Sequence, residues 1–103
     1  MYRVTITYGH PTAPAEFDEY YTTTHLPLAG KIPGVQRFAG GKCESLDGTE
    51  PAAYFLAQIY FASKDDAIAG FASPEGRNAA ADLVNFASGG ASFYFSDEDI
   101  VVP

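Results

Sequence analysis

His25 is the residue of this sequence best suited to moving a proton, because an imidazole takes up or releases one near neutral pH. Tyr21 lies four residues earlier, so on a helix the two side chains share a face. Two interpretations stay open. His25 either acts on a bound molecule as a general base, or it bonds the backbone carbonyl that Pro27 frees within the helix. If His25 lines a cleft, we expect its imidazole to be partly exposed.

Aromatic side chains are plentiful, with 8 Phe, 7 Tyr and no Trp. Such rings line apolar ligand sites, and they also fill ordinary protein cores. Either Tyr8 or Tyr21 is able to donate a hydrogen bond to a bound molecule. The candidate ligand-binding residues around His25 are Tyr8, Tyr21, Phe38, Phe61, Phe71 and Phe86.

Metal and cofactor chemistry finds little support in the residue pattern. The 2 histidines lie far apart in sequence and there is only 1 cysteine, Cys43, so metal-ligand spacing is missing. The paired glycines at 40–41 and 89–90 punctuate the chain and do not form a phosphate-binding loop. No serine lies in a nucleophile-elbow pattern. We therefore expect no metal, flavin, nicotinamide or other cofactor.

Composition limits the partners and the compartment. The 103 residues include 6 that are Lys or Arg and 13 that are Asp or Glu, so the formal net charge is −7. This negative charge disfavours nucleic acids and anionic membranes as partners. One cysteine permits no internal disulfide and suits a reducing compartment. We see no basic leader with an apolar core, and no apolar run approaches the roughly 20 residues of a membrane span. We expect a cytoplasmic protein.

The hydrophobic pattern predicts one α+β domain covering residues 1–103. Period-2 alternation predicts strands near 2–8, 35–43 (with an irregularity at Gly40-Gly41), 54–61 and 93–95. Apolar stripes that follow Pro14, Ser63 and Ser73 predict helices between the first two strands and between the last two. Pro27 is expected to bend the first helix. The order is β-α-β-β-α-β, the ferredoxin-like arrangement with an antiparallel four-stranded sheet.

The predicted topology leaves one face of the sheet without helices, because right-handed crossovers place both helical regions on the other face. Tyr54, Leu56 and Tyr60 are expected to lie on that open face of the third strand. A monomer rarely exposes an apolar patch of this kind. We therefore expect a homodimer in which the open faces pack against each other about a two-fold axis.

Several segments between Tyr8 and Gly90 resemble the EthD family, named for a protein linked to ethyl tert-butyl ether degradation. The matching segments are residues 17–21, 25–29, 33–38, 71–76 and 85–90. The segment His25-Leu26-Pro27-Leu28 is the most specific, because a proline two residues after a histidine inside a helix is rare. The resemblance implies a dimeric α+β barrel.

What the resemblance implies about activity is broader. Members look like accessory proteins in small-molecule catabolism, including ether degradation, that bind small apolar or aromatic compounds. Relatives with the same barrel include cofactor-free monooxygenases and isomerases, and some fungal relatives act as dehydratases or decarboxylases. Two functions follow as alternatives: a binding protein for a catabolite, or a cofactor-free enzyme with His25 as the general base.

Overall fold

The four strands form one sheet in the order β2-β3-β1-β4, in which every neighbouring pair is antiparallel. The computed structural model describes residues 1–103. Its strands are β1 (Tyr2–Tyr8), β2 (Val35–Lys42), β3 (Phe55–Phe61) and β4 (Ala91–Asp97). The predicted ferredoxin-like order of strands and helices is confirmed.

The helices come in two groups, each between a pair of strands. The first runs through α1 (Pro14–Tyr20), a π-helical turn (Tyr21–His25) and α2 (Leu26–Ala29). The second comprises α3 (Lys64–Ala72), α4 (Pro74–Ala81) and a 3₁₀ turn (Asp82–Asn85). None of these helices combines the length and apolar character that crossing a membrane requires.

Serine caps explain why the second group begins and divides where it does. The Ser63 hydroxyl accepts a hydrogen bond from the Asp66 N–H at 3.1 Å, which starts α3. The Ser73 hydroxyl accepts from the Gly76 N–H at 3.0 Å, which starts α4. Ser73 also ends α3, because its extended backbone (φ −65°, ψ 161°) leaves the helical path. Ser63 and Ser73 are therefore the N-caps of α3 and α4.

The core lies between the helices and the inner face of the sheet. Alternate residues of β1 and β3 are buried there, and Tyr8 stands at the centre of an aromatic group. Its ring centroid lies 5.5 Å from that of Phe17, 5.7 Å from Phe86 and 5.9 Å from Tyr21. Mostly edge-on and tilted contacts of this kind suit the charge distribution of aromatic rings.

Tyr54 corrects one expectation, since it does not lie on the open face of the sheet. The register of β3 with β1 ends at the pair Tyr8 and Phe55, so the alternation of side chains stops one residue before reaching Tyr54. The Tyr54 ring turns toward the helices, packs edge-on to Phe17 at 5.3 Å and donates its hydroxyl proton to Asp18 Oδ1 at 2.7 Å. Tyr54 therefore fastens α1 to the sheet.

The open face is also more polar than the pattern of β3 alone suggested. The Tyr60 hydroxyl donates to Gln58 Oε1 at 2.9 Å, and the Arg37 guanidinium lies 5.7 Å from the Tyr60 ring centre. Leu56 is the aliphatic side chain that β3 contributes to this face. The predicted irregularity of β2 also differs: the register shifts between Val35 and Arg37, not at the two glycines.

Helices α3 and α4 meet at a contact that only glycine allows. A Cβ atom at Gly76 would overlap the Gly70 carbonyl oxygen and stand 2.7 Å from the Cα of Phe71. Both obstacles are backbone atoms, so neither can swing aside. The junction therefore holds the C-terminal end of α3, which includes Phe71, in a fixed place against α4.

Candidate functional site

A π-helical turn carries His25 into the core. The N–H of Leu26 bonds the carbonyl of Tyr21, five residues back, so one extra residue is accommodated in the turn before Pro27. Such turns occur often at functional sites. Tyr21 and His25 are both buried, whereas Thr24 between them is exposed. The predicted disturbance near Pro27 thus takes the form of a widened turn that precedes the proline.

His25 is bonded to a carboxylate. Its Nδ1 lies 3.0 Å from Oδ2 of Asp82, and the residue is 4% exposed. Two expectations are therefore wrong. The imidazole is buried and not partly exposed, because the helices close over it, and its partner is not a backbone carbonyl freed by Pro27. A side-chain pair joins the first helical group to the second.

Asp82 is the centre of this polar network, and the sequence analysis missed it. Its Oδ1 accepts a hydrogen bond from the Tyr20 hydroxyl at 2.6 Å and another from Asn85 Nδ2 at 2.9 Å. Burial alone raises the pKa of Asp82, but hydrogen bonds from Tyr20, Asn85 and His25 outweigh it and lower that pKa below its ordinary value. Asp82 is therefore a carboxylate at neutral pH, although it is only 7% exposed.

The carboxylate decides which nitrogen of His25 carries the proton. An ionised aspartate only accepts, so Nδ1–H donates to Asp82 and the neutral ring keeps its lone pair on Nε2. Every fully buried side-chain nitrogen or oxygen has a hydrogen-bond partner. Nε2 has none within the chain, so that atom reaches accessible space. His25 is thus held by Asp82 at Nδ1, and its Nε2 is free to accept a hydrogen bond from a bound molecule.

An apolar cavity lies beside His25, between the helices and the sheet. Eleven of its 12 lining residues are hydrophobic, and its volume is about 20 Å³, room for roughly one water. Four of the candidate site residues line it: Tyr8, His25, Phe38 and Phe71. The structure therefore brings these four together, although each comes from a different element: β1, β2, α3 and the π-helical turn.

The other three candidates lie nearby but do not line this cavity. Phe86 packs on the imidazole with ring centres 4.6 Å apart, and Tyr21 lies 5.6 Å from it. Phe61 is fully buried and contacts Phe71 at 5.8 Å. Phe86 and Tyr21 thus pack against the imidazole of His25, and Phe61 packs against Phe71, which lines the cavity.

Two tyrosine hydroxyls stay protonated around this cluster. Burial raises the pKa of Tyr8, with further increases from the neighbouring Tyr21 and Asp82. Burial also raises the pKa of Tyr21, to about 12. Tyr8, with a hydroxyl that stays protonated, therefore lines the same cavity as His25. The pair can bind a group that both accepts and donates, such as a hydroxyl.

Comparison with known proteins gives the chain its relatives. The model of the EthD domain matches residues 9–90. A protein of Rhodococcus erythropolis, described as an uncharacterized 11.0 kDa protein in the thcB-thcC intergenic region, is 62% identical over 103 residues and 100% of both chains.

Solved structures share the fold of this chain. An EthD family protein from Bacillus halodurans has a TM-score of 0.90 at 26% identity, covering 96% of this chain and 99% of its own. A dimeric ferredoxin-like protein of unknown function from Thermobifida fusca has a TM-score of 0.72 at 17% identity, covering 94% and 90%. From the domain match and the identity to the Rhodococcus protein, this chain belongs to the EthD family.

Proposed function

We propose that this protein binds a small apolar or aromatic compound in the cleft between its helices and sheet, in an accessory role in the degradation of that compound. The observation that carries the proposal is an otherwise apolar cavity lined by His25, which Asp82 anchors at Nδ1, and by Tyr8, whose hydroxyl stays protonated. Sites for small molecules combine apolar walls with a few placed polar groups in this way. The fitting ligand has an apolar body and one hydroxyl.

The cavity must widen to admit such a ligand. Its volume of about 20 Å³ is smaller than any aromatic ring, so side chains in its wall have to move. On the helical side and on β2, the large residues of the wall are only half-buried: these are Phe38, Phe71 and Leu83. Half-buried side chains change rotamer more readily than closely packed core residues. Binding therefore proceeds by displacement of wall residues.

A second candidate function is a cofactor-free enzyme, and the anchoring of His25 on Asp82 favours it. A carboxylate at Nδ1 fixes the tautomer and the orientation of the imidazole, so Nε2 is the nitrogen that can accept a proton. His25 Nε2 would take a proton from a carbon next to a carbonyl, and the bonding electrons would move onto the carbonyl oxygen. Tyr8 would donate to that oxygen, and His25 would return the proton to the carbon framework.

Replacing His25 with asparagine separates these functions. Asparagine fills similar space but accepts no proton near neutral pH, so 4-methylphenol should bind at least tenfold more weakly to His25→Asn, as measured by titration calorimetry. Under either function the variant should also be less stable than the parent protein by about 1–3 kcal/mol, since a buried bond to Asp82 is lost. In D₂O, faster loss of the C1–H signals of 2-tetralone with the parent protein than with the variant would indicate base catalysis.

Thr24→Asn serves as the control, because it makes the same new side chain at an exposed position next to His25. It should bind 4-methylphenol like the parent protein. Equal affinity of the parent and His25→Asn would contradict a role for His25 in binding. Equal exchange rates for 2-tetralone would remove the enzymatic alternative and leave the binding function.

For the assembly we propose a homodimer that packs the open sheet faces together, in a reducing cytoplasm that suits the single Cys43. Relatives from Thermobifida fusca and Bacteroides fragilis are described as dimeric. Leu56→Lys with Tyr60→Lys would place like charges across the two-fold axis and remove the aromatic contact. Sedimentation velocity should then show a monomer where the parent protein shows a dimer.

The matched control for the assembly adds the same two charges on the helical side. Ala81 and Val84 are exposed there, and their replacement by lysine should leave the sedimentation coefficient of the dimer unchanged. If the variant of the sheet face stays dimeric, the two copies meet elsewhere.

A further inference from the structure

An open apolar groove runs beside α3 and the adjoining ends of β1 and β4. It has a volume of about 570 Å³, and six of its seven lining residues are hydrophobic. Ile68 and Phe95 form its rim and are 58% and 54% exposed, although both side chains are large and apolar. Lys64 is the one charged residue of the lining. The groove is thus an unused apolar surface far larger than the cavity at His25.

Phe71 forms part of the wall of both spaces. It lines the cavity of His25 on one side and the groove on the other. Its ring is half-buried and lies 5.8 Å from Phe61 and 6.2 Å from Phe95. The close contact of α3 with Gly76 fixes the backbone at this residue, so the ring is the part that can move. Phe71 is therefore a wall that the two spaces share, and its ring is the side chain whose rotation is needed to connect them.

We propose that the groove is the second half of the ligand site and holds the hydrocarbon tail of a ligand whose hydroxyl reaches His25. This inference rests on the proposed binding function. The chemical class is an aromatic alcohol with an unbranched tail of several carbons, for which 4-alkylphenols are the simplest representatives. The groove adjoins the polar pair of His25 and Tyr8 through one ring, and its walls offer a tail apolar contact along their length.

The experiment measures affinity against tail length. Binding of 4-methyl-, 4-butyl- and 4-hexylphenol to the parent protein is followed by calorimetry and by the imidazole signals of His25 in NMR spectra. Each methylene that enters the groove should tighten binding, by about fourfold when it is fully buried. In Ile68→Asp, a carboxylate at the rim should bring the affinity ratio between 4-hexylphenol and 4-methylphenol close to one.

Val84→Asp is the matched control, since it adds the same charge at an exposed position away from the groove. It should keep the full gain with tail length. A parent protein that binds all three phenols equally well at His25 overturns the groove proposal and leaves the proposed function intact. If affinity rises with tail length while the His25 signals stay unchanged, the groove binds ligand and the proposed function at His25 fails.

A second copy of the chain is the competing occupant of the groove. In that case Ile68→Asp would change the sedimentation coefficient of the protein, and Val84→Asp would not. That outcome overturns the proposal. An unchanged coefficient, together with loss of the gain in affinity, supports it.

Discussion

Asp82→Asn is expected to reverse the tautomer of His25 and to abolish binding of a hydroxyl ligand. The carboxylate accepts hydrogen bonds from His25, Tyr20 and Asn85. An amide has one oxygen for the Tyr20 and Asn85 donors, so its NH₂ group faces Nδ1 of His25. Nδ1 must then accept, and the proton moves to Nε2. The cavity loses its acceptor without losing any side-chain volume.

The tautomer is measured directly from the ¹⁵N chemical shifts of the imidazole. The parent protein should show a protonated Nδ1, and the variant a protonated Nε2. If His25 is a general base, the same change should cost about 10⁴ in rate, the size found when an aspartate that orients a catalytic histidine becomes asparagine. Asp65→Asn is the control, because it removes the same charge from an exposed position of α3. Retention of the Nδ1–H tautomer in Asp82→Asn would contradict this account of the site.

The same carboxylate makes stability depend on pH in a defined direction. Hydrogen bonds from three side chains lower the pKa of Asp82 in the folded state relative to its ordinary value. The native state therefore releases this proton more readily than the unfolded chain does. The resulting stability is fully present above the ordinary range of an aspartate and is lost as pH falls through the lowered pKa. Acid unfolding of Asp82→Asn should lack this contribution.

Gly76→Ala is expected to destabilise the protein strongly, although alanine is ordinarily the better helix former by about 1 kcal/mol. The new Cβ would overlap the Gly70 carbonyl oxygen and lie 2.7 Å from the Phe71 Cα. Because both obstacles are backbone, α3 and α4 would have to separate. Overpacking of side chains costs about 1–3 kcal/mol, and we expect at least the upper end here. Urea denaturation measures the loss.

Gly41→Ala is the matched control, since nothing lies within 4 Å of a Cβ atom at that position. A glycine inside a strand is itself unfavourable by roughly 0.5–1 kcal/mol, so this change should be neutral or slightly stabilising. Equal stabilities for the two variants would mean that the contact between α3 and α4 yields easily. In that case the backbone at Phe71 would not be fixed.

The fold could be predicted because its signals are local. Period-2 alternation in β1 and β3, and the serine caps of α3 and α4, each need only a few neighbouring residues. Tyr54 shows the limit of this reasoning. The alternation of β3 extended to it in the sequence, but the register with β1 ended at Phe55 and freed the ring to reach Asp18.

The site could be predicted only in part, because its central pair is not local. The histidine stands out by its chemistry, whereas Asp82 follows three alanines and belongs to no recognisable motif. The two residues are 57 positions apart, and no spacing rule connects them. The one available sign was an acidic residue inside the apolar stripe between Ala79 and Phe86, which a helical projection places toward the core.

The π-helical turn takes up one residue more than an α-helical turn, so it sets how the helix before it faces relative to His25. The three residues between Tyr21 and His25 are all threonine and all exposed. Their side chains are replaceable as far as packing is concerned. Closing the turn to an ordinary α-helix without shortening the chain would rotate everything before it by about 100° relative to His25. The aromatic residues of α1 and the imidazole could then not both face the core. Deleting one threonine would close the turn without that rotation, so among related chains this turn should tolerate substitutions and the loss of a single residue.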